Sequence, residues 1–199
     1  MNHIRLWSGI GVLSLAAGLA GGCAAPGSSS QPAAVSSPSQ RNDPYLMTVQ
    51  EVEKAPLESD IGAVHASYGL FPWVQFDPAD PRPQGFAISA LYLISNRTEQ
   101  GVFGNGTITV RMFRIERQAD GRQERALVHT WQFDPGQAMP YRAVRRTAIG
   151  RGYMLPLRWP AEVDVLNQEI MVVVEFVRPD GKVISSRPKF LKVPAKING

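Results

Sequence analysis

Five arginines, Arg142, Arg145, Arg146, Arg151 and Arg158, fall in a stretch between Pro135 and Ala161 that holds no acid. The planar guanidinium fork suits carboxylates and phosphates. Gathered on one loop, these side chains would take an anionic lipid headgroup, a cell-wall polymer or a partner's carboxylates; spread along a solvated loop and strand edge, they would take nothing in particular. A second cluster, Tyr68, Phe71 and Trp73, lies in YGLFPWVQF together with Phe76. Such rings build a sugar-stacking platform or plug one end of a β-sandwich.

Other chemistry is thinly provided. Beyond His3 the chain has His65 and His129 only, and no serine sits in a G-x-S-x-G elbow. His129 alternates with Leu127, Trp131 and Phe133, which predicts a half-buried, hydrogen-bonded imidazole rather than a general base. Two separated histidines without cysteine make no zinc spacing. Asp77 and Asp80 each precede a proline, which is turn composition and not a calcium loop. The glycines of GVFGNGT lack the helix and the Gly-Lys-Ser/Thr ending that phosphate binding needs. Asn96 and Asn105 open glycosylation sequons by spelling alone. The expectation is a non-enzymatic protein with no cofactor and no metal.

These residues must be positioned by strands. The 199 residues carry 21 Lys and Arg against 17 Asp and Glu, a net charge of +4 too weak to imply nucleic acid. GFAISALYLIS, residues 85–95, is apolar on both faces and predicts a central strand. TITVRMFRIER, residues 107–117, changes phase after Met112 and predicts a bulge there. Asp120-Gly121 then joins it to RQERALVHTWQF as a hairpin. GYMLPLRW carries Pro156 and predicts an edge strand. EIMVVVEFV, turned by Arg178-Pro179-Asp180-Gly181 into KVISSRPKFLKV, predicts a second hairpin kinked at Pro188. Residues 45–57 predict a first strand or an arm, and residues 61–76 a strand in their second half, broken at Pro72. With no long amphipathic helix, the expected fold is all-β: an antiparallel β-sandwich of about seven strands over residues 45–199.

The N-terminus supplies an address. In MNHIRLWSGIGVLSLAAGLAGGC, Arg5 precedes a short apolar run, and small residues lead to the only cysteine, Cys23. This resembles the lipobox signal of bacterial lipoproteins, with Ala20 where that family usually has leucine. The resemblance implies a signal peptide over residues 1–22, acylation of Cys23 and attachment to a membrane, with Ala24 favouring the outer one. Residues 23–44, rich in Ser, Pro and Ala, predict a disordered tether reaching ~25 Å. Residues 71–193, the closing EFVRPDGKVISS above all, resemble immunoglobulin-like and transthyretin-like sandwiches of bacterial envelope proteins; a Cys…Trp…Cys core is absent. Together these imply a lipid-anchored envelope protein whose sandwich binds or braces another envelope protein or a cell-wall polymer. The alternative is a small-ligand or glycan-binding module using Tyr68, Phe71 and Trp73.

Overall fold

Where the sequence alternates, the chain is extended. The structure, a computed structural model, describes residues 43–118 and 121–197. The expectations for residues 1–22, for Cys23 and for the tether up to residue 42 lie outside the described residues. In chain order come the helix α1 (Val49–Glu53) and the strands β1 (Leu57–Glu58), β2 (Ile61–Val74), β3 (Gly85–Ser95), β4 (Gly101–Gly104), β5 (Thr107–Arg117) and β6 (Gln123–Phe133). The short helix α2 (Pro135–Ala138) precedes β7 (Tyr153–Arg158), β8 (Glu169–Val177), β9 (Val183–Ser185) and β10 (Lys189–Lys192).

Two sheets form the sandwich. In the first, β3 is central, with β2 on one side and β4 and β7 sharing the other; β1 adds to β4 in parallel. In the second, β5 lies between β6 and β8, and β9 and β10 share the far side of β8. One apolar core joins them, with Phe86 and Leu93 from β3, Val110 from β5, Leu155 from β7 and Phe176 from β8 all fully buried. Phe86 meets Trp131 edge-on across the sandwich at 5.7 Å between ring centroids. Gly104 keeps the sheets close, since a Cβ there would lie 2.6 Å from both Leu93 Cδ1 and Phe176 Cε2.

Two bulges decide which residues reach that core. On β3, Tyr68 pairs with Ile88 while Ser67 pairs with Ala90, so Ser89 is the extra residue. Its hydroxyl donates to the Ser67 carbonyl at 3.0 Å. The phase change brings Phe86 and Ile88 onto the same face as Leu91 and Leu93. The predicted slip at Met112 is present, but the extra residue belongs to the partner strand: Met112 pairs with His129 and Phe113 with Leu127, leaving Val128 over. Leu127 is thereby turned off the face it was expected to share with His129, and it is 59% exposed.

Pro156 does sit on an edge strand, since β7 pairs with β3 alone. The second hairpin also forms. Its turn closes with Gly181 at φ +83° and with the Asp180 carboxylate accepting from the Lys182 N–H at 3.1 Å. Pro188 falls in the gap between β9 and β10. Of the strand or arm expected over residues 45–57 the structure has the arm, and it carries the helix α1. Thr48 and Glu51 form a reciprocal capping box, which holds the Glu51 carboxyl below its ordinary range through the Thr48 backbone N–H first and its hydroxyl second. Val52 and Ala55 join the core. Strand β2 begins earlier than expected, at Ile61, and its irregularity is wider than a proline kink: residues 69–72 stand between the pairs Tyr68–Ile88 and Trp73–Phe86, opposite Ala87 alone.

Candidate functional site

The structure does not gather the five arginines. Arg142 is buried, at 7% exposure, and its Nη1 donates to the carbonyls of Val52 at 3.0 Å and Glu53 at 3.4 Å. Its guanidinium lies 4.6 Å from the centroid of the Phe103 ring. Arg145 is exposed and paired with Asp43 at 3.3 Å. Arg146 donates from Nη2 to Gln100 Oε1 at 2.8 Å. With Arg151 it lines a groove beside α1 that also holds Glu51 and Lys54. Arg158 lies at the other end of β7, with its guanidinium 5.5 Å from the centre of the Phe76 ring.

The aromatic cluster is likewise divided. Tyr68 and Trp73 turn inward and pack on the core, where burial pushes the Tyr68 hydroxyl far above its ordinary range. Phe71 turns outward. It stands with Leu70 on the four-residue bulge of β2, and the two side chains are 83% and 88% exposed. The backbone explains the display: residues 69–72 have no partner on β3, and β2 is the edge of its sheet. Leu70 carried no signal in the alternation pattern. Gly69 and Pro72 on either side, both residues that interrupt strands, are the signal that could have marked it.

Beside this projection lies the outer face of the first sheet. β3 presents Ala87, Ala90, Tyr92 and Ile94 there, and β7 presents Met154, Pro156 and Arg158. His65 and Ser67 of β2 stand opposite Tyr92 and Ala90. Among these residues Arg158 is the one formal charge. The segment around Thr147 covers Tyr92, whose hydroxyl lies 3.1 Å from the Thr147 hydroxyl. Next to that contact is a mostly apolar recess of about 210 Å³, bounded by Ser89, Ala90, Tyr92, Val144 and Met154 and rimmed by Arg145.

A larger, polar cleft of about 500 Å³ lies by the turn after β2, between Asp77, Asp80, Arg82, Arg158 and Asp164. Its charges are largely engaged: Arg82 holds Asp80 at 2.7 Å, and the Asp77 and Asp164 carboxylates cap turns through the N–H groups of Ala79 and Leu166. The Arg82 side chain and backbone donate to Asp80 and bring its carboxyl down to about 2. Because the folded value is depressed, the pair's contribution is complete above the ordinary carboxylate value near ~3.9 and lost as pH falls through about 2. Carbon-detected NMR titration is expected to find the Asp80 carboxyl titrating near pH 2, and near pH 4 in Arg82→Ala. An unperturbed Asp80 in the parent chain would show the contact to be absent in solution. Among the described residues no group of three or more His, Cys, Asp or Glu is placed to hold a metal ion.

His129 stacks edge-on against Trp131, with 4.6 Å between ring centroids, and His65 is exposed on the outer face. The two imidazoles therefore lie on different strands of different sheets. Fold and surface together define a two-sheet, mainly antiparallel β-sandwich with one half-open apolar face. Compared with protein families, curated proteins and solved structures, the chain gives no significant match.

Proposed function

We propose that this protein is a lipid-anchored, non-enzymatic component of a bacterial cell envelope, held by acylated Cys23 at the outer membrane, whose sandwich docks on another envelope component. One observation carries the docking: β3 is apolar on both sides, the second sheet covers only one, and the open side is bordered by Leu70 and Phe71 almost fully in solvent. A strand apolar on both faces is ordinarily buried on both, and adjacent large apolar side chains at this exposure mark interaction surfaces. The glycan-binding alternative has less support, because Tyr68 and Trp73 pack on the core while Phe71 points away from it.

Two experiments test the reading. Cys23→Ser is expected to move the protein from the membrane fraction to the soluble envelope fraction, because several acyl chains at ~0.8 kcal/mol per buried CH₂ anchor a protein lastingly. Continued sedimentation with membranes after a high-salt wash would refute the anchor. A photo-crosslinking residue at Leu70 is expected to give a discrete adduct in intact envelopes, and the same residue at Arg125, on β6 of the other sheet, none. Equal yields from both positions, or none from Leu70, would refute the docking face.

A further inference from the structure

We infer that the groove beside α1 is the surface on which the domain rests against its own membrane, its cations taking the phosphates of anionic phospholipid headgroups; the inference rests on the lipid anchor proposed above. Lys54, Arg146 and Arg151 all line this groove of about 600 Å³, so they face one space. Backbone bonds bring them together. The Arg146 N–H bonds to the Tyr45 carbonyl and the Met47 N–H to the Val144 carbonyl, while the Arg151 N–H is held by the Gly101 carbonyl. Among the described residues none of the three cations is within ion-pair distance of a carboxylate; the hydrogen-bond partner of Arg146 is the neutral Gln100 amide oxygen at 2.8 Å. The one carboxylate in the groove, Glu51, is already engaged, accepting from the Thr48 N–H at 2.7 Å and from its hydroxyl at 2.9 Å. Positive charge is left in surplus.

Size, chemistry and place select the occupant. The groove's volume falls within the ~300–1,000 Å³ of small-ligand sites. A guanidinium fork matches the oxygens of a phosphate, and Leu46, 60% exposed, offers with Pro44 and Pro56 an apolar wall to the glycerol and the first methylenes beside it. An acidic protein segment would find the same cations, but the course of the chain favours the bilayer. Pro44 and Leu46, which line the groove, follow directly on Asp43. On the anchor reading about twenty residues join Cys23 to Asp43, and a chain of that length reaches ~25 Å. A domain of this size has a radius of gyration of ~15 Å, so the end at which the chain enters is held nearest the lipid. Through Gly101 the groove is tied to β4, on the side of the first sheet away from β2. A domain seated there leaves Leu70 and Phe71 free to meet another component.

The test uses the full-length acylated protein, reconstituted into vesicles of equal parts phosphatidylcholine and phosphatidylglycerol or of phosphatidylcholine alone. Leu46→Cys and, on the other sheet, Leu127→Cys each carry a fluorophore, since Cys23 is the only native cysteine and its sulfur is blocked by lipid; the vesicles carry a nitroxide on their headgroups. Flotation reports the anchor, and quenching reports the seat. In anionic vesicles the label at position 46 is expected to be quenched and that at position 127 not. The contrast is expected to vanish in phosphatidylcholine alone and at about 1 M salt, where the screening length falls to ~3 Å. Each Lys or Arg near an anionic surface strengthens attachment about fivefold, so Lys54→Gln, Arg146→Gln and Arg151→Gln combined should shift the balance from seated to free by on the order of 100-fold. The lipid and salt comparisons use the parent groove, so they decide the matter even where the triple variant folds poorly. Flotation with positions 46 and 127 quenched alike, or a contrast that persists in uncharged vesicles, overturns the inference and leaves the anchor standing. Failure to float refutes the anchor itself and this seat with it.

Discussion

Phe86→Ala is expected to lower stability by ~3–5 kcal/mol, the range for deleting a fully buried aromatic ring. Phe86 has no exposure to solvent, and its ring neighbours come from three other strands or their ends: Trp131 at 5.7 Å, Tyr68 at 6.4 Å and Trp159 at 6.5 Å. The cavity left behind would lie between the sheets. It would collapse poorly, because the indole of Trp131 is tied through its N–H to the Arg158 carbonyl at 2.8 Å. At ~2–4 °C per kcal/mol for a chain of this size, the melting temperature should fall by about 6–20 °C. The matched control is Leu127→Ala, whose exposed side chain should leave the melt within ~0.5 kcal/mol of the parent. Circular dichroism melts at fixed concentration decide between them. Equal melting of Phe86→Ala and the parent would mean that the two sheets are not joined through this ring.

The contrast between Phe86 and Leu127 also shows where the alternation pattern was legible. Period two located seven segments that became eight of the strands, with β9 and β10 as one kinked run, and the turn residues located both hairpins and Pro156 the edge strand, because each depends on residues close in sequence. It could not say which of two opposed residues carries a bulge. The slip at Met112 reads the same whether the extra residue is on β5 or on β6, and only pairing places it at Val128. The same limit hid the change of phase at Ser89. Both faces of β3 looked apolar, and the inference of a central strand was right; which face is covered depends on a sheet that arrives later in the chain. The helix at Val49–Glu53 had a local signal, Thr48-x-x-Glu51, in a segment whose weak alternation pointed to a strand or an arm.

The candidate site was less legible, for a related reason. Spacing along the chain grouped Arg142, Arg145 and Arg146, yet the backbone turns sharply between them. The N–H of Arg142 bonds to the Met139 carbonyl close by and that of Arg146 to the Tyr45 carbonyl, in the turn that precedes α1 far earlier in the sequence. Burial of one and exposure of the others follow from those two attachments. Phe71 was singled out as aromatic, but its neighbour Leu70 stands out only once the four-residue bulge is seen.

Arg142→Ala is therefore expected to behave unlike its neighbours and to cost ~2–4 kcal/mol. Hydrogen bonds from a charged donor contribute ~1.5–3 kcal/mol, and the carbonyls of Val52 and Glu53 that receive them end α1, where a positive charge is favoured. The Phe103 ring adds a cation–π contact that reaches ~2 kcal/mol when desolvated. Against these stands the desolvation of a guanidinium whose Nε makes no hydrogen bond in its buried position, so the sum is cut to the stated range. Arg145→Gln and Arg146→Gln should each stay within ~0.5 kcal/mol, as exposed groups do. Arg142→Met, which keeps much of the apolar stem, should recover part of the loss if packing contributes and none if the carbonyl bonds dominate. Thermal melts rank the four variants, and hydrogen exchange at residues 49–55 shows whether the arm is released first. If Arg142→Ala melts with the parent, the arm is held by Val52 and Ala55 and by the backbone bonds at Tyr45 and Met47, without help from the guanidinium. If the predicted order holds, binding assays for an anionic ligand must use Arg145, Arg146 and Arg151 and leave Arg142 in place, since its loss would unlatch the arm and imitate a loss of affinity.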